Sequence, residues 1–259
     1  MNITLIGPGR VGTALAIAFS DSGHRMLKII SRTPEKASML ADIVKCEYGT
    51  EHRIPPESDV VIISVNDDSL TSVLDKIDVP PGTIVAHTAG SVGLNVFNEQ
   101  FTHHGVFYPL QTFTMGREFD FGSIPLFVEA NNEKTLEKLE SLAATVSNNI
   151  HHIDSDKRRY LHLAAVFSCN FVNHMYYAGK EIAEKAGMNF DVMIPLITET
   201  LEKASDMGPE KSQTGPAIRN DKKTIEKHLD LLSFSPDLQG MYREISGAII
   251  NKYRGVSHE

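Results

Sequence analysis

Three glycines near the start of the chain, Gly7, Gly9 and Gly12, are spaced as Gly-x-Gly-x-x-Gly, with Pro8, Arg10 and Val11 between them. An apolar run at residues 3–6 precedes them, and an alanine-rich helical pattern at residues 11–22 follows. Glycines so placed between strand and helix have distinct jobs. The first permits a tight turn, the second lets backbone approach a pyrophosphate, and the third lets the helix pack closely on the sheet. Unpaired N–H groups at the helix start, at the positive end of its dipole, then hold the phosphates. Gly7, Pro8, Gly9, Arg10, Val11 and Gly12 are therefore expected to form a dinucleotide phosphate loop. A purely structural glycine turn is the alternative, and the strand-turn-helix context weighs against it.

The end of the second strand selects the cofactor. An NAD or FAD site usually has Asp or Glu there to bind the ribose hydroxyls. Here Ser31, Arg32 and Thr33 stand instead. Arg32 can pair with a 2′-phosphate in a bidentate manner, whereas a carboxylate would repel it. Ser31 and Thr33 can add hydroxyl bonds. The expected cofactor is NADP(H). Ser64, Val65 and Asn66 follow a third strand, at the carboxyl edge where parallel sheets bind ligands. They are expected to line the nicotinamide-ribose pocket, while Asp67 or Asp68 caps the next helix. Thr88, Ala89 and Gly90 follow another strand and complete the cofactor candidates.

Hydride transfer to a carbonyl or imine needs a proton donor and groups that polarise the acceptor. His162, Asn170 and Tyr108 are the catalytic candidates. At about 100° per residue, His162, Asn170, Asn173 and Tyr177 share one arc of an otherwise apolar helix, with His174 just outside it. His162 is the first choice as general acid, because imidazole titrates near neutrality. Asn170 would orient substrate. A buried hydrogen-bond network is the competing explanation of the stripe. Ser91, Gln111, Asn173, His174, Thr214 and Arg219 are candidate substrate contacts. Lys211, Arg219, Lys222 and Lys223 make a basic cluster that could attract a carboxylate or phosphate, against the plainer reading of a solvated surface. The pairs His103–His104 and His151–His152 carry no metal-ligand spacing, since strand neighbours point to opposite faces. No metal is expected.

Elements must position these residues. Strands are expected at 3–6, 26–31, 59–65, 83–87, 105–108 and 126–129, and helices at 11–22, 33–43, 69–76 and 135–146. Such alternation predicts an α/β domain with a doubly wound parallel sheet, the Rossmann arrangement. Beyond Lys157 only helices are expected, at 160–187, 191–207, 222–232 and 236–252, with Asp221 as the cap of the third. The expected domains are 1–153, binding NADP, and 154–259, all-α, for substrate and dimerisation, with a cleft between them.

Composition narrows the partners. The chain has 259 residues, 41% hydrophobic and 22% charged, with a net charge of −8. That charge weighs against general nucleic-acid or anionic-membrane binding. No apolar stretch reaches the roughly 18 residues of a membrane span, and the first residues lack a signal peptide's basic region. A cytoplasmic protein is expected, with a small-molecule substrate. Cys46 and Cys169 are expected to be buried, reduced thiols.

The residues also carry a resemblance. Residues 3–12, with their glycine loop, look like the superfamily of pyrroline-carboxylate reductase and 6-phosphogluconate dehydrogenase. Four further segments are similar to one branch of it. They are His87-Thr88-Ala89-Gly90-Ser91, Tyr108-Pro109-Leu110-Gln111-Thr112-Phe113, the helix at 162–171, and Thr214-Gly215-Pro216 with Arg219 and Asp221. In that branch a Rossmann-like domain precedes a domain of unknown function, DUF2520, and its members are labelled NADP- or F420-dependent oxidoreductases. The resemblance implies an all-α second domain that helps to form a homodimer; it supplies no substrate. In the hydroxyacid dehydrogenase branch a catalytic lysine stands four residues before a helix asparagine. If Asn170 matches that asparagine, the lysine position is Val166, which transfers no proton.

Two functions fit. One is an NADP(H)-dependent oxidoreductase acting on a small carbonyl or imine compound, anionic or neutral. The other is a non-catalytic NADP(H)-binding regulatory or sensor dimer. Fold alone does not separate them.

Overall fold

The apolar run after Met1 forms β1 (Asn2–Ile6), buried from Ile3 to Ile6, as a central strand covered on both faces must be. The computed structural model describes residues 1–117 and 119–254. After β1 come α1 (Arg10–Asp21), β2 (Arg25–Ile30), α2 (Pro34–Val44), β3 (Glu47–Gly49), β4 (Val60–Ile63) and α3 (Asp67–Leu74). Then follow β5 (Ile84–His87), β6 (His104–Pro109), β7 (Leu126–Ala130), α4 (Glu133–Ala143) and β8 (Ile150–His152). The sheet order is β3-β2-β1-β4-β5-β6-β7-β8. Between β1 and β4 the order reverses, which opens the crevice where such sheets bind ligands.

Side chains alternate between two core layers. On one face Ile3, Leu5, Ile62 and Phe107 pack with Leu15 and Phe19 of α1 and Leu139 and Leu142 of α4. On the other, Ile6, Ile30, Val61 and Ile63 pack with Leu70 and Leu74 of α3 and with Phe97 and Phe101.

The sheet departs from the expected one in three strands. β3 and β8 were not anticipated; each has three residues, too few to show a period. β7 runs antiparallel to β6. A parallel return needs a crossover, usually a helix, and between β6 and β7 the described residues hold only the single turn Phe121–Ser123.

Beyond β8 lie α5 (Ser155–Ala165), a π-helical segment Val166–Phe171, α6 (Val172–Lys185), α7 (Ile194–Met207), α8 (Pro209–Ser212), α9 (Lys222–Leu231) and α10 (Pro236–Lys252). The single helix expected at 160–187 is thus three segments. A π turn takes in an additional residue, so a 100° projection does not carry from His162 to Asn173 and Tyr177. Asp221 caps α9 as expected, accepting from Thr224 N at 3.1 Å.

The chain forms two compact units, Met1–Asn170 and Phe171–Glu259. The boundary expected at 153/154 lies before this division, at Asp154, the N-cap of α5. In the second unit Ala178, Leu232 and Leu238 form a small core, with Met241 and Tyr242 against it. Both cysteines are unpaired thiols, but neither is fully buried as expected: Cys46 is half-buried and Cys169, in the π segment, is exposed. Among the described residues no helix is long and apolar enough to cross a membrane.

Candidate functional site

The glycine turn is set by contacts that exclude other residues. Gly7 has φ +94°, and a Cβ there would stand 2.4 Å from the Ser64 carbonyl oxygen. A Cβ on Gly12 would stand 2.2 Å from the Gly7 carbonyl oxygen. α1 therefore begins directly over the ends of β1 and β4. Its N-cap, Gly9, offers no side chain, and its first turn holds no acid. The N–H groups of that turn are left to an anion.

In front of the turn lies a cavity of about 400 Å³. Three loops meet there: Gly7, Pro8 and Gly9 after β1, Ser31, Arg32 and Thr33 after β2, and Ser64, Val65 and Asn66 after β4. The Ser31 hydroxyl accepts from Thr33 N at 3.1 Å. Lys36, His52 and Lys76 line the same cavity. None of the three was a candidate from the sequence, although Lys36, in the first turn of α2, is only four residues from Arg32. Burial and the nearby Lys76 cation lower the His52 imidazole below its ordinary value.

The rest of the expected phosphate loop faces elsewhere. The Arg10 side chain lines a separate groove with Asp21 and Arg117. Val11 packs on the core, and Gly12 is buried in α1. Asn66, rather than Asp67 or Asp68, is the N-cap position of α3, without a side-chain bond. The Asp67 carboxylate instead accepts from the Ser91 hydroxyl.

A second group of candidates gathers at the carboxyl ends of β4, β5 and β6. The Thr88 hydroxyl donates to the Ser64 hydroxyl at 3.1 Å. Ala89 N donates to His87 Nδ1 at 3.2 Å. Tyr108, from β6, places its hydroxyl 3.0 Å from His162 Nδ1, with the rings 6.1 Å apart and nearly perpendicular. Gly90 lies against both. A Cβ there would meet His162 Nδ1 at 2.6 Å and Tyr108 Cζ at 2.9 Å. Burial pushes the Tyr108 hydroxyl up to about 12, Arg158 opposing and Asp67 assisting. Tyr108 thus keeps its proton throughout the neutral range. With Nδ1 of His162 engaged, Nε2 is the ring atom left for a ligand. His87 is fully buried and stacks on Phe97 at 5.6 Å. Burial, reinforced by Arg158, pulls its imidazole down to about 3, so it is neutral.

Arg158 and Glu129 were also missed. Arg158 is wholly buried. It pairs with the Glu129 carboxylate of β7 and donates to the Val92 carbonyl. Glu129 also accepts from Ser155 N and from the Ser155 hydroxyl, both at 2.9 Å. A surface-type residue in an exposed helical pattern gives no sign of this burial; its one signal is its place one turn before His162.

Other candidates are not part of these groups. Asn170 is exposed at the end of the π segment. Gln111 turns back on its own loop, its Oε1 accepting from Thr112 N at 2.7 Å. Asn173, His174, Thr214 and Arg219 belong to the second unit and are exposed. There Thr214 borders an apolar cavity of about 410 Å³ that also holds His228 and Tyr242. Lys211, Lys222 and Lys223 are exposed as well. The paired histidines have separate partners: Thr135 for His103, a carbonyl for His104, Asn149 for His151 and Glu140 for His152.

Comparison with known proteins places this arrangement. Residues 1–112 match the model of the Rossmann-like domain, and residues 124–249 that of the domain of unknown function DUF2520. No protein of curated function matches the chain. Among solved structures, a Bacteroides fragilis protein described as a candidate NADP oxidoreductase is 41% identical, with TM-score 0.89, covering 96% of this chain and 98% of its own. A reductive aminase from Aspergillus terreus, in complex with NADPH and ethyl-5-oxohexanoate, is similar in fold at 12% identity and TM-score 0.76, over 99% and 96% of the two chains. So is an imine reductase from Myxococcus stipitatus in complex with NADP+, at 16% identity and TM-score 0.66, over 98% and 93%. The chain belongs to the family that joins a Rossmann-like domain to a DUF2520 domain.

Proposed function

We propose that this protein is an NADP(H)-dependent oxidoreductase acting on a small carbonyl or imine compound, with His162 and Tyr108 as its proton-transferring pair. One observation carries the cofactor assignment. A cavity opening on the glycine turn has Arg32, Lys36 and Lys76 in its lining against the one carboxylate of Asp68, and no carboxylate stands at the end of β2. That charge suits a 2′-phosphate better than a pair of ribose hydroxyls. The backbone around Gly7 and Gly9 would hold the pyrophosphate, and Ser64, Val65 and Asn66 the adjoining ribose. When bound, the nicotinamide supplies or accepts a hydride.

The chain's own residues handle the proton. In reduction, His162 as the imidazolium gives its Nε2 proton to the carbonyl oxygen or imine nitrogen and becomes neutral, while its Nδ1–H donates to the Tyr108 hydroxyl oxygen and so fixes the ring. In oxidation the same nitrogen takes the proton back. Gly90 leaves room for the pair at the strand ends. The fold neighbours that act on imines and bind a keto ester make cyclic imines and keto acids the first compounds to try. The exposed apolar side chains of the helical unit support a homodimer.

Titration calorimetry with NADPH and NADH tests the cofactor. NADPH is expected to bind at least about tenfold tighter, and Arg32→Ala to remove most of that preference, since a bond to a charged group is worth roughly 1.5–3 kcal/mol. Equal affinities in the unmodified protein refute the assignment. Tight NADPH binding without turnover of any imine or keto acid favours the regulatory dimer.

A further inference from the structure

We propose that Arg158, held by Glu129, is a positioning residue that sets His162 against Tyr108. The inference rests on the proton-transfer reading of that pair and adds the device that aims it.

Spacing sets the register between strand and helix. Glu129 of β7 lies across from Val106 of β6, and Phe127 across from Tyr108. From Val106 to Tyr108 is two strand residues, about 6.8 Å at 3.4 Å each. From Arg158 to His162 is four helix residues, about 6 Å at 1.5 Å each. Residues four apart share one face of a helix. A helix laid along β6 and β7 with Arg158 on Glu129 therefore brings His162 to Tyr108, one turn later. The observed contacts follow this register.

The anchor is confined to the first turns of α5. Ser155 donates to Glu129 at 2.9 Å and accepts from Leu94 N at 3.1 Å. The Arg158 guanidinium reaches the Val92 carbonyl as well as Glu129. Arg159 Nε donates to the Ser91 carbonyl at 3.1 Å. One planar fork thus joins β7, α5 and the loop after β5, the loop that carries Gly90. A lysine carries the charge but not the fork. A buried ion pair is weak evidence of stability in itself, because desolvation offsets the attraction. Its directional bonds, from α5 to β7 and to the loop after β5, fit a role in geometry.

The test reads geometry without turnover. Nitrogen-15 spectra of the histidine rings in the full chain, with Tyr108→Phe as reference, report the His162–Tyr108 contact. Arg158→Met is expected to displace the His162 signal as Tyr108→Phe does, and Arg158→Lys to fail to restore it. NADPH affinity should change by less than about twofold, because the cavity at Gly7 and Arg32 contains neither residue. The double variant Arg158→Met, Glu129→Leu leaves no orphaned charge, so its melting temperature should recover beyond that of Arg158→Met while the His162 signal stays displaced. A double variant, or a lysine variant, with the His162 signal of the unmodified protein overturns the proposal. A protein that binds no NADPH refutes the oxidoreductase reading and leaves this readout intact.

Discussion

At the scale of single residues, two histidines near the strand ends have opposite characters. His162 is partly accessible and hydrogen-bonded through one nitrogen; His87 is sealed in the core against Phe97, near the Gly93 backbone and Arg158. His162→Ala is expected to leave NADPH affinity nearly unchanged and to lower turnover by about 10²–10⁴-fold, the usual contribution of a positioned acid or base. Single-turnover kinetics beside calorimetry check this, and full activity in the variant removes His162 from the mechanism. For His87 the consequence is in stability. Arg158 and His104 are the charged or titratable groups that act on it. Its folded value lies near 3, below the ordinary 6.5. The unfolded chain therefore takes up a proton below about pH 6.5 that the folded chain refuses until about pH 3. Stability falls through that window as pH falls, by at most about 1.4 kcal/mol per pH unit from this group. His87→Gln, which keeps an acceptor for Ala89 N, should flatten the slope. Urea midpoints measured from pH 7 to pH 4 decide it; an unchanged slope counts against the buried, neutral histidine.

At the scale of elements, β6 links core and site through its two-residue period. Phe107 points into the core, edge-on to Phe19 of α1 at 5.6 Å, while the next residue, Tyr108, serves the site. Phe107→Ala should cost about 3–5 kcal/mol of stability, as large aromatic-to-alanine changes in cores do. NADPH affinity measured well below the melting temperature should hold, because Phe107 is absent from the cofactor cavity. Denaturant unfolding and calorimetry separate the two effects; a loss of affinity in the folded variant contradicts the separation. α5 gains its position from Glu129 and the Val92 carbonyl rather than from its own apolar face.

At the scale of the molecule, the helical unit carries large apolar side chains on its surface. Leu196, Leu201 and Leu231 are each more than half exposed, as are Met188 and Val192. Exposed apolar surface on this scale marks an interface. A homodimer is expected by analytical ultracentrifugation at micromolar concentration, and Leu196→Glu with Leu201→Glu should shift it toward monomer. A monomer in the unmodified protein defeats this.

What the sequence determined by itself was local. Glycine spacing, strand-helix alternation and the run Ser31-Arg32-Thr33 each express a short-range rule of backbone conformation or charge, and the cavity at Gly7 and Arg32 brings them together. α9, its Asp221 cap and the bounds of α10 were legible for the same reason. The antiparallel turn of β7, the strands β3 and β8 and the π segment were not, because no periodicity within three to six residues encodes them. Tyr108, Gly90 and His162 were separate candidates in the sequence, and Arg158 was not one at all. Only the tertiary structure made them a group, since contacts across 54 and more residues depend on which strand lies beside which. Burial decided the rest: it keeps the proton on Tyr108, denies one to His87 and turns an ordinary arginine into the pin of a helix.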